Sequence, residues 1–555
     1  MNKKFVWIIL LGIIILAAVL RLWQLGHIPP SPDWDEVALG YDGYSIIHTG
    51  RDEFGKFLPV VLRSFDDYKP ALYAYLTIPS ILIFGLNVFA VRLPSAIFGI
   101  ISVIAVFFLV RELFENYKYR DYLSLISSFF LAISPWSIQF SRVGFEANVG
   151  DALNILTALF FVKGLKKPWM LFLSAFFAGL AIYVYQSEKV FTPLLVLVLA
   201  LIYWKQLFSI SKKYVLLVIV FGIIVVAPMV MFIVTNRAAL LRVTGTSIFS
   251  YQTELLKTDI QKLQRDQAKN DKLGLILDNR RVVYAVTVIS GYVSHFEPNW
   301  LFITGDIDRH HAPNMGLLYI FEIPFILLGI YALLFGDFNK KTKLTVFAWL
   351  LIAPIPASIT TGVPHAVRTL NFLPTWQIIS ALGLISGYSL IKQYKVSGSK
   401  YLVYFKPILY TLFIILASVN FIYYLDQYFV QLNYYDSQFW QYGYQQAADE
   451  VKLLGNNYKE IVISDKQPMD KSYMFFLFYL QYSPSGYQKT GDNSSGGFAT
   501  HHSFGKYIFR PIDWQKDSQV KGVLYIGNPD EIPQGAAMKT IYNLDGTPAM
   551  RIAGT

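Results

Sequence analysis

The sequence predicts a polytopic, essentially all-α membrane protein of about eleven transmembrane helices, with a small α/β domain outside the membrane at its C-terminal end. Three observations predict it. First, 54% of the 555 residues are hydrophobic and only 15% are charged, where a soluble globular chain carries roughly 25% charged residues. Second, the apolar residues fall into blocks near the roughly 20 residues that cross a bilayer core. Third, basic residues gather in the short links between alternate blocks, as the positive-inside rule requires. The formal net charge of +11 is therefore a matter of topology and anionic headgroups, not of nucleic acid. The chain has no cysteine, which excludes disulfides, thiol catalysis and cysteine-ligated zinc.

The first block, in MNKKFVWIILLGIIILAAVLRLW, is long enough to span and lacks a small-residue cleavage site, so it reads as a retained anchor. The predicted spans are 5–25, 93–113, 121–137, 147–165, 168–185, 190–204, 214–234, 316–335, 344–361, 370–391 and 406–424. The stretch 71–84, edged by Pro70 and Pro79, is too short to cross and reads as an interfacial or re-entrant helix. With the N-terminus cytoplasmic, the inside loops are 111–121, 163–167, 204–213, 335–343 and 391–406, all short and basic. Counting 71–84 as a crossing would invert every later loop, so the charge rule decides the count. The outside then receives 26–92, the junctions 134–148 and 185–189, the long loop 235–315, the turn 361–370 and the tail.

This divides the chain into a membrane module, 1–425, which includes the outside loops 26–92 and 235–315, and a soluble α/β domain, 426–555. In the domain, QYGYQQAADEVKLLG reads as an amphipathic helix. EIVISD, KGVLYIG, KTIYNL and AMRIAG read as strands, and DNSSGGF as a flexible loop.

The unusual charges collect on the outside. Asp33, Asp35 and Glu36 follow the first span; Asp66, Asp67 and Lys69 precede 71–84; Arg142 and Glu146 lie at the next outside junction; Gln186, Glu188 and Lys189 at the one after; His365 and Arg368 in GVPHAVRTL. Each cluster alone reads slightly better as an interfacial anchor or a loop charge. Five on one face, mixing acids, bases and aromatics, point to a site. Lys69, Lys189, Arg368 and Arg142 suit a phosphate, which lysine meets as a point charge and arginine as a fork. A carboxylate within reach of a hydroxyl serves as a general base. Together they outline a site where a phosphate leaves and a hydroxyl attacks, beside apolar spans that hold a lipid tail.

At these residues the chain resembles the GT-C-fold glycosyltransferases that use polyprenyl-phosphate sugars, the dolichyl-phosphate-mannose–protein mannosyltransferases and lipid A aminoarabinose transferases among them. The resemblance rests on Asp35-Glu36 in WDE, on Lys69-Pro70-Ala71-Leu72-Tyr73, on Arg92-Leu93-Pro94-Ser95, and on Pro135, Ser141-Arg142 and Glu146. PHAVRTLNFLP and SHFEPNWLFITGD are similar to stretches of bacterial members. Glu146 stands where relatives often carry Asp, and the C-terminal domain matches no part of the family.

The resemblance implies an inverting transfer from a polyprenyl-phosphate sugar donor to an acceptor hydroxyl of a glycan, lipid or protein, on the outer face of a bacterial cytoplasmic membrane. Asp35 would deprotonate the acceptor hydroxyl, and Glu36, the second member of the catalytic pair, would position acceptor or sugar hydroxyls. Lys69, Arg142, Lys189 and Arg368 would meet the donor phosphate. Glu146, Tyr73, Gln186 and His365 would position substrate. No metal is required on this reading, although Asp33, Asp35 and Glu36 are the place where a divalent cation would sit. His365 and the pair His310-His311 suggest a metal, but two adjacent histidines on a loop are more often surface or hydrogen-bonded residues, and catalytic zinc takes three protein ligands. Three other classes fit part of the pattern: a lipid or sugar transporter, which would show repeats and midplane charges; a lipid-linked glycan polymerase or ligase; and a receptor acting through its tail.

Overall fold

A computed structural model describes residues 2–65, 67–236, 245–249, 254–393, 402–490 and 502–555. The loop DNSSGGF, Asp66 and much of the basic loop 391–406 lie outside the described residues. The fold is mostly helical, with a helix at each of the eleven expected spans. Four of them are long and apolar enough to cross a membrane among the described residues: Lys3–Leu22, Val88–Leu113, Lys212–Thr235 and Pro407–Tyr435. A fifth arises if Arg120–Ile133 and Pro135–Ser141, bent by 57°, count as one span. The remaining expected spans are shorter or more polar. Met170–Ala181 has 12 residues, and Glu146–Gly164 carries Asn148, Asp151 and Asn154 on buried positions. The stretch 71–84 forms the 13-residue helix Leu72–Phe84, too short to cross as expected.

The chain forms two compact units, neither of them one continuous stretch. The first comprises Met1–Ile13, Ser102–Trp136 and Gly150–Asn420. Its helices approach closely where side chains vanish. Ile323–Phe335 lies against Thr375–Gln393 at Gly329 and Gly383, where any Cβ would strike the facing backbone carbonyl. Lys212–Thr235 packs on Met170–Ala181 at Gly179 and leaves Leu216, Ile219, Ile223 and Ile224 exposed, an apolar surface suited to lipid. Among the described residues the expected long loop 235–315 holds the short helix Trp300–Thr304 and, before it, the helices Glu254–Ala268, Lys272–Leu277 and Arg280–Ser294. The last two are capped by Asp271 and Asn279 side chains, which accept backbone N–H groups of the first turn.

The second unit comprises Ile14–Ile101, Ser137–Val149 and Phe421–Thr555. The first outside loop thus belongs to the same unit as the C-terminal residues. Within it, β1 (Val61–Ser64) and β2 (Asp67–Pro70) form an antiparallel hairpin with Leu62 opposite Lys69. The C-terminal sheet has six strands: β3 (Glu460–Ile463), β4 (His502–Phe504), β5 (Tyr507–Phe509), β6 (Val523–Gly527), β7 (Lys539–Tyr542) and β8 (Pro548–Gly554), in the order β4-β5-β3-β6-β8-β7. β3 runs parallel to β5 and β6, and the outer pairs are antiparallel. Its core is continuous with the first outside loop. Val37, Ala38 and Tyr41 of helix Trp34–Thr49 are buried with Tyr473, Phe475 and Phe478 of helix Ser472–Tyr479. Gly40 and Gly43 let that first helix approach. A Cβ on Gly40 would meet Val91 and Phe478, and one on Gly43 would meet Thr77 and the Ala74 carbonyl.

Candidate active site

Helix Trp34–Thr49 starts at the acid cluster, and the cluster starts it. Asp33 is the N-cap, in extended backbone (φ −70, ψ 156), and its Oδ1 accepts the Asp35 N–H at 2.8 Å. Glu36 Oε2 accepts the Asp33 N–H in return, at 2.9 Å. This reciprocal capping box satisfies two otherwise orphaned donors, and the carboxylates of the first turn complement the helix dipole.

Glu36 does more than cap. Arg92 grips it with both faces of its fork, Nε to Oε1 at 2.8 Å and Nη2 to Oε2 at 3.1 Å. The Gly144 N–H donates to Oε1 at 2.8 Å. Arg92 spends its other donors on the carbonyls of Leu25, Pro29 and Ser31, at 3.1, 2.9 and 2.8 Å. Neither side chain has any exposed surface. A Cβ on Gly144 would crowd the Glu36 side chain at 3.2 Å and the Tyr73 hydroxyl at 3.4 Å. The pair therefore fastens four separate chain segments, with every bond charge-assisted. The lone pairs of both Glu36 oxygens are taken up by these bonds.

Asp35, one residue earlier, is placed differently. It keeps 27% of its side chain exposed while its partner Lys69 keeps 8%. Lys69 stands on β2, and its ammonium forms an ion pair with the Asp35 carboxylate. The Lys471 ammonium lies 3.7 Å from the Trp34 ring centroid and 3.2 Å from Asp470. Lys471 comes from the C-terminal residues and carries no motif; only the fold brings it to the residue next to Asp35.

Arg142 and Tyr73 also turn out to be ties. Arg142 is fully buried and donates to the carbonyls of Leu20, Trp23 and Ile28 at 2.9, 2.7 and 3.1 Å, with Phe429 4.8 Å from its guanidinium. It fastens the turn after the first helix. The Tyr73 hydroxyl donates to the Val91 carbonyl at 2.9 Å, so its proton is committed too. Glu146 opens helix Glu146–Gly164 and is buried. The same unit holds acids that spacing did not flag. Asp42, Asp52 and Glu53 are buried, and Asp42 Oδ1 accepts the Glu53 N–H at 3.0 Å. Burial, then repulsion from a neighbouring acid (Asp52 on Asp42, Asp42 on Glu53), holds the Asp42 and Glu53 carboxyls well above the usual carboxylate range.

Gln186, Lys189, His365 and Arg368 lie in the other unit. Lys189 donates to Gln186 Oε1 at 2.7 Å. Arg368 donates to Thr360 Oγ1 at 2.6 Å and to the Thr361 carbonyl at 2.7 Å. Glu188, fully buried, accepts from Asn371 at 2.8 Å and from Asn154. His365 stands beside His310 and Asp306.

The comparisons with known proteins agree with the resemblance read from the motifs. Residues 68–232 match the family model described as dolichyl-phosphate-mannose-protein mannosyltransferase, a stretch holding Lys69, Arg92, Arg142, Glu146 and Lys189. The fold matches ArnT from Cupriavidus metallidurans in its apo state with a TM-score of 0.54 and 10% identity, over 100% of this chain and 98% of that one. The same protein bound to undecaprenyl phosphate matches with a TM-score of 0.54 and 11% identity, over 100% of both chains. The oligosaccharyltransferase AglB from Archaeoglobus fulgidus, in complex with an inhibitory peptide and a dolichol-phosphate, matches at 0.48 with 13% identity, over 86% of this chain and 64% of its own. No curated protein sequence matches the chain. The fold is thus similar to that of ArnT.

Proposed function

We propose that the protein is an inverting glycosyltransferase that moves a sugar from a polyprenyl-phosphate donor to an acceptor hydroxyl. The observation that carries this reading is the contrast among three neighbouring acids: Asp33 and Glu36 are buried and committed to backbone and arginine, while Asp35 keeps its carboxylate reachable beside a lysine. Asp35 accepts the proton of the acceptor hydroxyl. The acceptor oxygen forms a bond to the anomeric carbon as the bond from that carbon to the phosphate oxygen breaks, and the electron pair leaves with polyprenyl phosphate. Lys69 is the cation closest to the base, and it exchanges its carboxylate partner for the phosphate as charge develops there. Lys471 is a second ammonium for that anion. Glu146, in the same unit as Asp35 and Lys69, positions substrate on this reading.

The chain spans the bacterial cytoplasmic membrane about eleven times, with Asp35 and the 426–555 domain outside. The family-model match and the ArnT fold support the donor class. The test is direct: purified full-length protein, in detergent with polyprenyl-phosphate sugar radiolabelled in the sugar, transfers label to water or to envelope acceptor and leaves polyprenyl phosphate. Intact donor after prolonged incubation with a crude envelope acceptor fraction overturns the proposal. Orientation is tested on the cysteine-free chain. Thr540→Cys takes a membrane-impermeant maleimide from outside intact cells, and labelling only after lysis contradicts the topology.

A further inference from the structure

We propose that Asp306, His310 and His365 form a binding site for a divalent transition metal of the zinc class. One donor atom from each lies within 4.8 Å of the other two, and among the described residues this is the only such group of three. GDIDRHHAPN places Asp306 and His310 four residues apart in a loop that follows the short helix Trp300–Thr304. Gly305, at φ +63, turns the chain there. Asp306 Oδ2 lies 3.0 Å from His310 Nδ1 and accepts the Ala366 N–H at 2.8 Å. That second bond anchors the carboxylate to the residue after His365. The His310 and His365 rings lie 5.1 Å apart, inclined at 41°.

Two atoms in this cluster point to a ligand. Asp306 Oδ1 and His365 Nδ1 are both buried without a hydrogen-bond partner, and the Asp306 side chain is 8% exposed. A buried carboxylate oxygen left bare is costly; a metal bond satisfies it. Two imidazoles and one carboxylate make a donor set suited to zinc, with a position left for water or an anion. Zinc bonds of roughly 2.0–2.2 Å need the donors to close by only about 1 Å or so from the outer limit of the cluster. An orienting layer is present. His295 Nδ1 lies 2.6 Å from the Gly291 carbonyl and Nε2 accepts the His365 N–H at 3.1 Å. His295 therefore holds the segment and has no nitrogen free to ligate. Arg368 faces His365 and His295 as the opposing cation, so an anion completes the charge balance at the open position. His311 stands apart, its Nδ1 against the Ala312 carbonyl at 2.9 Å.

The test uses the full chain, purified in detergent and stripped with chelator, titrated calorimetrically with zinc chloride and spectroscopically with cobalt(II). One equivalent binds, and cobalt gives the intense visible bands of a four-coordinate site. Asp306→Asn, His310→Ala and His365→Ala each weaken zinc by about 100-fold or more, beyond what losing an orienting partner costs. His311→Ala binds as wild type does. Gel filtration and thermal melting without metal show which variants are folded, and only those are scored. Equal zinc affinity in wild type and in any two folded ligand variants overturns the site, as does the absence of binding at 100 micromolar zinc. Neither result bears on sugar transfer, which is measured separately.

Discussion

Two regions of this molecule gather carboxylates, and they treat them in opposite ways. At the start of helix Trp34–Thr49, each acid meets a cation or a helix N-terminus: Glu36 meets Arg92 and Asp35 meets Lys69. Around Asp306 the partners are histidines and a backbone N–H, and burial, then the neighbouring His310 and Arg368, pushes His365 well below its ordinary range. The first arrangement supplies fixed charges of both signs, which suits proton transfer and an anionic leaving group. The second supplies lone pairs around one negative charge, which suits a metal ion. Composition alone does not separate them, since both are short acid–base clusters beside apolar helices.

The contrast is sharpest within the first region, and it breaks most visibly at Glu36. Glu36→Ala strands a fully buried arginine, and a cost of about 3–5 kcal/mol is expected; thermal melting should register a large loss or no folded protein. Arg142→Met removes three bonds to backbone carbonyls and should cost about 2–3 kcal/mol, a result at odds with a free phosphate ligand, whose removal would leave stability unchanged. Gly144→Ala presses on Glu36 and Tyr73 and should cost about 1–3 kcal/mol by overpacking.

A smaller effect of opposite sign is expected at Glu53, where both carboxylate oxygens are buried without partners. Its folded-state proton affinity is raised above the ordinary value of 4.5, so the folded form binds the proton more tightly than the unfolded chain. Its favourable contribution is complete below that ordinary value and is lost as pH rises through the raised one. Glu53→Gln should therefore raise the melting temperature at pH 8 and lose the advantage towards pH 5. A melting temperature lowered equally at both pH values would refute the account of that cluster.

Much of this architecture was legible because apolar blocks and their basic flanks are local signals. Every expected span coincides with a helix, and four of the six C-terminal strands lie where alternation placed them. The strands His502–Phe504 and Tyr507–Phe509 were missed because three residues are too few to show a period. The short apolar helix Ser472–Tyr479 was missed because an all-apolar run has no face. Of the site, the acid pair and Lys69 were visible by motif and spacing. The roles of the arginines were not: Arg92 and Arg142 act on groups 56 and 122 residues away, and only the fold shows that one neutralises Glu36 and the other holds carbonyls. Asp306 was passed over as a third ligand for the same reason, since its partner His365 lies far along the chain.

The central claim is that adjacent carboxylates divide the labour, Asp35 for chemistry and Glu36 for structure. Single-turnover transfer by purified Asp35→Asn, on a sample that melts within about 2 °C of wild type, tests it most directly. The account predicts a rate lower by about 10²–10⁴-fold, the usual contribution of a general base, with donor binding retained. Wild-type turnover by that variant would contradict it.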